Sequence, residues 1–254
     1  MDGAGLLASL HASVDAVAAE LQRRPAREPT GGREGEYAHD LAADAVAVAS
    51  LIGAGFGVLS EESGWREAGR PLLAVLDPVD GSTNASRGLP WFATSICVLD
   101  ELGPLAAVVA NLVSGSRYEA VRGEGARRDG KAITPARPSV LAEAVVGLSG
   151  YSGHHLGWRQ YRALGAAALD LCAVADGTLD AFVDCVDEPH GGVWDYLGAL
   201  LVCREAGAVV VDRHDRELVV RSSDHWRSPV AASSPELLAE LRAALVSPAQ
   251  TGNR

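Results

Sequence analysis

The 254-residue sequence predicts a mixed fold, α+β or layered α/β. Short apolar runs with strand character alternate with segments of helical spacing in both halves of the chain. Gly, Pro and Asp-Gly turn signals punctuate those runs at short intervals. A hydrophobic content of 48% is enough to bury a large core in one domain or two closely packed halves. There is no internal repeat and no low-complexity segment.

In chain order, residues 3–24 are rich in Ala and Leu at helical spacing and stop before Pro25. A polar Gly-rich loop from Arg27 to Glu36 follows, then a second amphipathic helix over 40–53 with Asp40 at its start. Strand signals recur at Gly57–Leu59, Leu72–Leu76, Ala93–Leu99 and Leu105–Asn111. Arg117–Arg122 and Ala126–Ile133 read as a hairpin. Thr134-Pro135 through Pro138 marks a seam, dividing the chain into halves 1–134 and 135–254. Beyond it the pattern predicts strand 144–148, helices 158–164 and 165–175, strand 179–183, helix 195–206, strands 208–212 and 230–232, and a closing helix 235–245.

Net charge is −11 and the isoelectric point about 5.1, which opposes binding to a nucleic-acid backbone. Lys131 is the sole lysine, so lysine-based phosphate cradles and Schiff-base chemistry have one candidate. Cys97, Cys172, Cys185 and Cys203 sit singly in apolar surroundings without C-x-x-C spacing, and read as buried thiols of a reducing compartment. Residues 1–24 mix apolar residues with Asp15, Glu20 and Arg23 and do not read as a signal. No apolar run is expected to span a bilayer, which takes roughly 20 residues. These features predict a cytoplasmic protein with no membrane partner.

The chemistry concentrates in Asp77-Pro78-Val79-Asp80-Gly81-Ser82-Thr83-Asn84. Asp77 and Asp80, at the end of an apolar strand, can offer hard oxygen ligands to Mg²⁺. The Gly81, Ser82 and Thr83 amides can face a phosphate oxygen if a helix or tight turn begins there. Read alone, the stretch is first of all an Asp-Pro turn followed by a Ser/Thr helix cap. Upstream, Glu61-Glu62 follows another apolar stretch. Downstream, Trp194-Asp195 opens an apolar helical segment, where an Asp would ordinarily be dipole and capping chemistry.

The order of these blocks resembles the inositol monophosphatase family of metal-dependent phosphomonoesterases, whose blocks are an E-E pair, D-P-[IVL]-D-G-[ST]-x-N and W-D-x-x-[AG]. Gly165-Ala166-Ala167-Ala168-Leu169-Asp170-Leu171-Cys172 and Asp40-Leu41-Ala42-Ala43-Asp44 extend the resemblance over residues 36–235 or so. It implies a five-layer αβαβα sandwich with the site between the halves, a cytoplasmic homodimer, and two or three Mg²⁺ per site. Position by position, it makes Glu61, Asp77 and the Val79 carbonyl ligands of a first ion. Asp77, Asp80 and Asp195 become ligands of a second. Ser82 would position the attacking water, relayed to Asp40, while Asp80, Gly81, Ser82, Gly165, Ala166, Ala167, Asp184 and Asp195 face the substrate. Loop 27–39 would act as a flap that recruits a third ion and brings lithium sensitivity.

The substrate implied is a small phosphate monoester, with inositol monophosphate first. Fructose 1,6-bisphosphate, another sugar phosphate, an aminocyclitol phosphate and histidinol phosphate are alternatives. Ala166 removes a hydroxyl the family usually has, and Asp184 stands where inositol enzymes place a Glu. A catalytically silent metal-binding homologue is a different class, opposed by the retention of every acidic residue above. Gly125–Ala132 nearly matches a phosphate loop but ends in Ala132 where a hydroxyl is needed, so it reads as a hairpin turn. His154, His155 and His190 lack a ligand spacing and read as solvated loop, and Trp65, Trp91, Trp158 and Trp226 as packing residues.

Overall fold

The computed structural model describes residues 1–23, 38–137, 140–186, 188 and 190–246, and forms two mixed β-sheets flanked by helices. Helix α1 (Gly3–Leu21) opens on Asp2, whose side chain accepts from the Gly5 amide at 2.9 Å. Leu6, Leu10, Val14 and Val17 form a buried stripe at helical spacing. The stripe packs with Ala43, Ala47 and Leu51 of α2 (Ala38–Gly53) on one face of the first sheet. Among the described residues α1 alone is long and apolar enough to cross a membrane by length and composition. That corrects the expectation that no run qualifies, although here the apolar stripe is spent on a protein core.

The first sheet is built from β1 (Gly57–Ser60), β2 (Gly64–Arg66), β3 (Leu73–Asp80), β4 (Ala93–Asp100), β5 (Gly103–Asn111), β6 (Arg117–Val121), β7 (Ala126–Arg128) and β8 (Lys131–Ala132). Their order is β2-β1-β3-β4-β5-β6-β7-β8, parallel only between β1 and β3. Strand β3 runs four residues past the expected end at Leu76, so Asp77 and Asp80 lie within it. The register slips between the Asp77↔Ser95 and Asp80↔Ala93 pairs. This irregularity accommodates Pro78, which has no amide to give a regular ladder. The turn between β7 and β8 has Asp129 and Gly130 at φ 52° and 75°, the primed hairpin geometry, so Gly125–Ala132 is a hairpin.

Helix α3 (Ser82–Arg87) follows β3 directly. The second sheet holds β9 (Val145–Ser149), β10 (Gln160–Arg162), β11 (Ala181–Asp184), β12 (Val209–Asp212) and β13 (Pro229–Ala232) in the order β10-β9-β11-β13-β12. The helix expected over 158–164 is absent: Gln160, Tyr161 and Arg162 pair in parallel with Val145, Val146 and Gly147. All three are exposed on an edge strand, so no apolar alternation marks them. Helices α4 (Ala167–Ala175) and α5 (Val193–Ala206) contact strands of both sheets. Val75, Val109, Leu171, Phe182, Leu197 and Leu201 share one apolar core there. Helix α6 (Pro235–Val246) covers the other face of the second sheet through Leu237 and Leu241. All four cysteines are free and buried, as expected.

Candidate functional site

Glu61 leaves β1 with its amide bonded to the Leu76 carbonyl at 3.1 Å, which fixes it beside β3. Asp77 is fully buried on β3, and Asp195 stands in the first turn of α5. One carboxylate oxygen from each of Glu61, Asp77 and Asp195 lies within 4.8 Å of the others. Asp77 accepts from the Val79 amide at 2.9 Å, and Asp195 from the Gly192 amide at 2.6 Å. Burial pushes all three carboxyls up, Glu61 to about 7. Repulsion from Glu61 adds to the rise at Asp77 and Asp195, while Glu61 is lifted further by Glu62 and Asp80 and eased by a hydrogen bond with Asp77. Among the described residues no ion pair with Arg, Lys or His involves these three. Buried like charges of this kind are stable only when protonated or when a cation lies among them, and an all-oxygen donor set suits a hard divalent ion.

Asp80 sits beside this trio with its oxygens already engaged. They accept from the Ala167 and Ala168 amides at 3.2 and 2.8 Å, so a residue of the first sheet caps a helix lying between the sheets. Burial raises Asp80 to about 7, the two amides oppose the rise, and its charge in turn lifts Glu61, Asp77 and Asp195. The Val79 carbonyl accepts from Ser82 Oγ at 2.9 Å. Gly81 lies at φ 89°, and a Cβ there would sit 3.0 Å from the Gly165 carbonyl and 3.2 Å from Ala166 Cβ. Only glycine fits both the left-handed backbone and that approach. The Ser82 and Thr83 amides open α3, where the first-turn N–H groups have no helical acceptor.

Three residues that motif reasoning left without a role complete the docking. Asn84 donates both amide hydrogens, to the Trp91 and Leu164 carbonyls at 2.7 Å each. Trp91 Nε1 donates to Asp170 Oδ1 at 2.8 Å, and burial pushes that carboxyl up to about 8. Gly165, at φ 85°, packs against the Asn84 amide, and Ala166 is buried at the helix cap. Position eight of the motif was the available signal for Asn84, and the Gly165–Cys172 segment that for Asp170; Trp91 was read only as a packing residue.

Asp40 is buried in the first turn of α2, its Oδ1 3.0 Å from His39 Nε2, and its charge contributes to the rise at Glu61. Asp44, one turn on, accepts a short hydrogen bond from Ser60, so α2 is tied to the end of β1. Asp184 ends β11, buried and raised by that burial, with its Oδ2 3.5 Å from His190 Nδ1 and its charge felt by Asp195. His190 is nonetheless exposed, as are His154 and His155, in keeping with the solvated-loop expectation. Trp91 and Trp158 pack as expected, but Trp65 and Trp226 are 39% and 44% exposed, Trp226 standing edge-on to Trp194. Residues 27–37 of the expected flap lie outside the described residues.

The sequence matches the model of the inositol monophosphatase family over residues 38–251. It is 33% identical over 204 residues to a fructose-1,6-bisphosphatase/inositol-1-monophosphatase of Thermococcus kodakarensis, covering 78% of each chain. It is 31% identical over 222 residues to a bifunctional NADP phosphatase/NAD kinase of Methanocaldococcus jannaschii, covering 70% of this chain and 38% of that protein. In three dimensions it superposes on a Pyrococcus horikoshii protein described as similar to inositol-1 monophosphatase, with a TM-score of 0.86, 24% identity, and 96% and 99% of the two chains covered. With an acidic cluster able to chelate a divalent cation at the junction of β1, β3 and α5, the chain belongs to the inositol monophosphatase family and is a metal-binding hydrolase of phosphate monoesters.

Proposed function

We propose that this protein releases phosphate from inositol monophosphate by attack of an activated water in line with the leaving alkoxide. The observation that carries the reading is the convergence of three carboxylate oxygens from distant parts of the chain within 4.8 Å. Glu61, Asp77 and the Val79 carbonyl would hold one Mg²⁺; Asp77, Asp80 and Asp195 would hold a second; a third, weaker ion underlies the proposed inhibition by Li⁺. When bound, such ions lower the pKa of water and neutralise phosphoryl charge.

The protein's own groups do the positioning. Ser82 Oγ donates to the Val79 carbonyl, which leaves its lone pairs to orient the water, and Asp40 is the acceptor at the end of that relay. The Gly81 and Ser82 amides at the start of α3 grip a phosphate oxygen. Asp184 and the Gly165-Ala166-Ala167 turn receive the polyol, Asp184 as acceptor for a ring hydroxyl. The α5 and α4 contacts with both sheets support a five-layer αβαβα sandwich in which halves 1–134 and 135–254 form one catalytic unit. A cytoplasmic homodimer completes the proposal.

Fructose 1,6-bisphosphate is the second reading, favoured by the Thermococcus kodakarensis relative whose name carries both activities. The deciding experiment is a panel of inositol, sugar and nucleotide phosphates assayed with Mg²⁺ and with EDTA. Mg²⁺-dependent release, fastest on inositol monophosphate, is expected. Equal rates with EDTA would overturn the metal assignment, and a tenfold preference for fructose 1,6-bisphosphate would overturn the substrate.

A further inference from the structure

We propose that a groove on the outer face of the second sheet, backing onto Asp184, binds a small anion with carboxylate or phosphate oxygens. Strand alternation separates it from the carboxylate trio. Phe182 on β11 belongs to the core between the sheets, whereas Ala181, Val183 and Cys185 belong to the core under α6. Asp184 therefore shares the Phe182 side, and Cys185 opens to the opposite one. On β12, Val210 joins the inter-sheet core and Val209 and Val211 the outer one, which places Arg213 on the outer side with Cys185.

A cavity of about 280 Å³ lies there, lined by Ser152, His154, Cys185, Arg213 and Leu245 among others. A second, of about 240 Å³, shares Arg213 and Leu245 and adds His214 and Arg242. Neither is lined by an Asp or Glu among the described residues, in a chain of net charge −11. Arg213 and Arg242 thus face a groove with no lining carboxylate, in a molecule whose net charge is strongly negative.

The two arginines differ in what already engages them. Arg242 is held by both oxygens of Asp215 at 2.6 and 2.7 Å, so its charge is matched at the rim. Among the described residues the Arg213 side chain hydrogen-bonds only an uncharged acceptor, the Val186 carbonyl at 3.4 Å, and acts on the Asp184 carboxylate through its charge alone. Its guanidinium fork is left to suit a planar carboxylate or a phosphate face. Ser152 Oγ donates to the His154 carbonyl at 2.6 Å, which orders the loop forming the opposite wall. The volume lies just under the usual range for drug-sized ligands, about 300–1,000 Å³, and suits inorganic phosphate or a short dicarboxylate.

The test uses the full chain stripped of metal with EDTA, in which the carboxylate trio repels anions and cannot be mistaken for the groove. Inorganic phosphate and succinate are titrated separately by calorimetry. Saturable binding of either is expected, the tighter of the two identifying the oxygen chemistry preferred. Arg213→Gln is expected to weaken it about tenfold, and Arg213→Lys less. His154→Glu, on an exposed loop where folding is not at stake, is expected to weaken it comparably by placing a carboxylate in the groove. Absence of saturation with both anions, or binding unchanged in His154→Glu and Arg213→Gln, would overturn the proposal. Because no metal or turnover is involved, the outcome is independent of the phosphatase reading.

Discussion

Glu61, Asp77 and Asp195 are held together against their own repulsion, and this has a measurable sign. Burial raises their folded-state pKa values, Glu61 to about 7, whereas an unfolded carboxyl titrates near 4. Between those values the metal-free native state binds more protons than the unfolded state, so the stability contributed by these groups is present below about pH 4 and lost as pH rises through about 7. Thermal unfolding with EDTA is therefore expected to show a falling Tm over that window, and millimolar Mg²⁺ to restore Tm more at pH 8 than at pH 5. A Tm indifferent to Mg²⁺ at pH 8 would contradict the centre. Asp77→Asn removes one of the buried charges while keeping the shape. It is expected to raise metal-free Tm at pH 8 yet lower Mg²⁺-dependent phosphate release by at least roughly 10³-fold, an effect of about 4 kcal/mol on the barrier. The carboxylates were legible because their types and order are unusual. The engaged state of Asp80 was not, since its partners, the Ala167 and Ala168 amides, are 87 and 88 residues away in sequence.

At the scale of elements, the motif works as a joint. The end of β3, the Gly81 turn and α3 dock on the Leu164–Ala168 segment through Asn84, Asp80 and the glycine contact. Asn84→Ala deprives the Trp91 and Leu164 carbonyls of their donor, at about 1–3 kcal/mol for each acceptor left buried and unsatisfied. A fall in the denaturation midpoint is expected, accompanied by weaker Mg²⁺ dependence because Asp80 and Asp195 shift relative to Asp77; an unchanged midpoint would refute the joint. Strands with a buried apolar run and a turn signal, such as β4, β5 and β11, could be read from the sequence within a few residues. The short edge strands β2 and β10 could not, because their pairing with β1 and β9 supplies what their own side chains do not advertise. Trp158 illustrates the ambiguity: a packing residue at the start of the expected helix, it is buried beside an edge strand instead, its ring 6.1 Å from Tyr161.

For the molecule as a whole, α5 is what brings the two sheets and the two ends of the chemistry together. Asp195 is carried on its first turn, and Gly198, one turn later, lies directly against β4. A Cβ on Gly198 would sit 2.7 Å from Ser95 Oγ and 3.2 Å from Val109 Cγ2. Ser95 is the cross-strand partner of Asp77, so this contact sets how closely Asp195 approaches Asp77. Gly198→Ala favours the helix by about 1 kcal/mol in propensity, yet it must displace either Ser95 or the helix. If the helix moves, a few tenths of an ångström between Asp195 and Asp77 are lost, and the centre loosens while the cores stay packed. Gly198→Ala is therefore expected to retain or raise metal-free Tm while weakening apparent Mg²⁺ affinity about tenfold. Ser95→Gly combined with Gly198→Ala makes room for the new methyl and is expected to restore it, a coupling that independent sites would not produce. Equal Mg²⁺ affinity in wild type and Gly198→Ala would show instead that the hydroxyl of Ser95 yields and that the spacing of the carboxylates is set elsewhere.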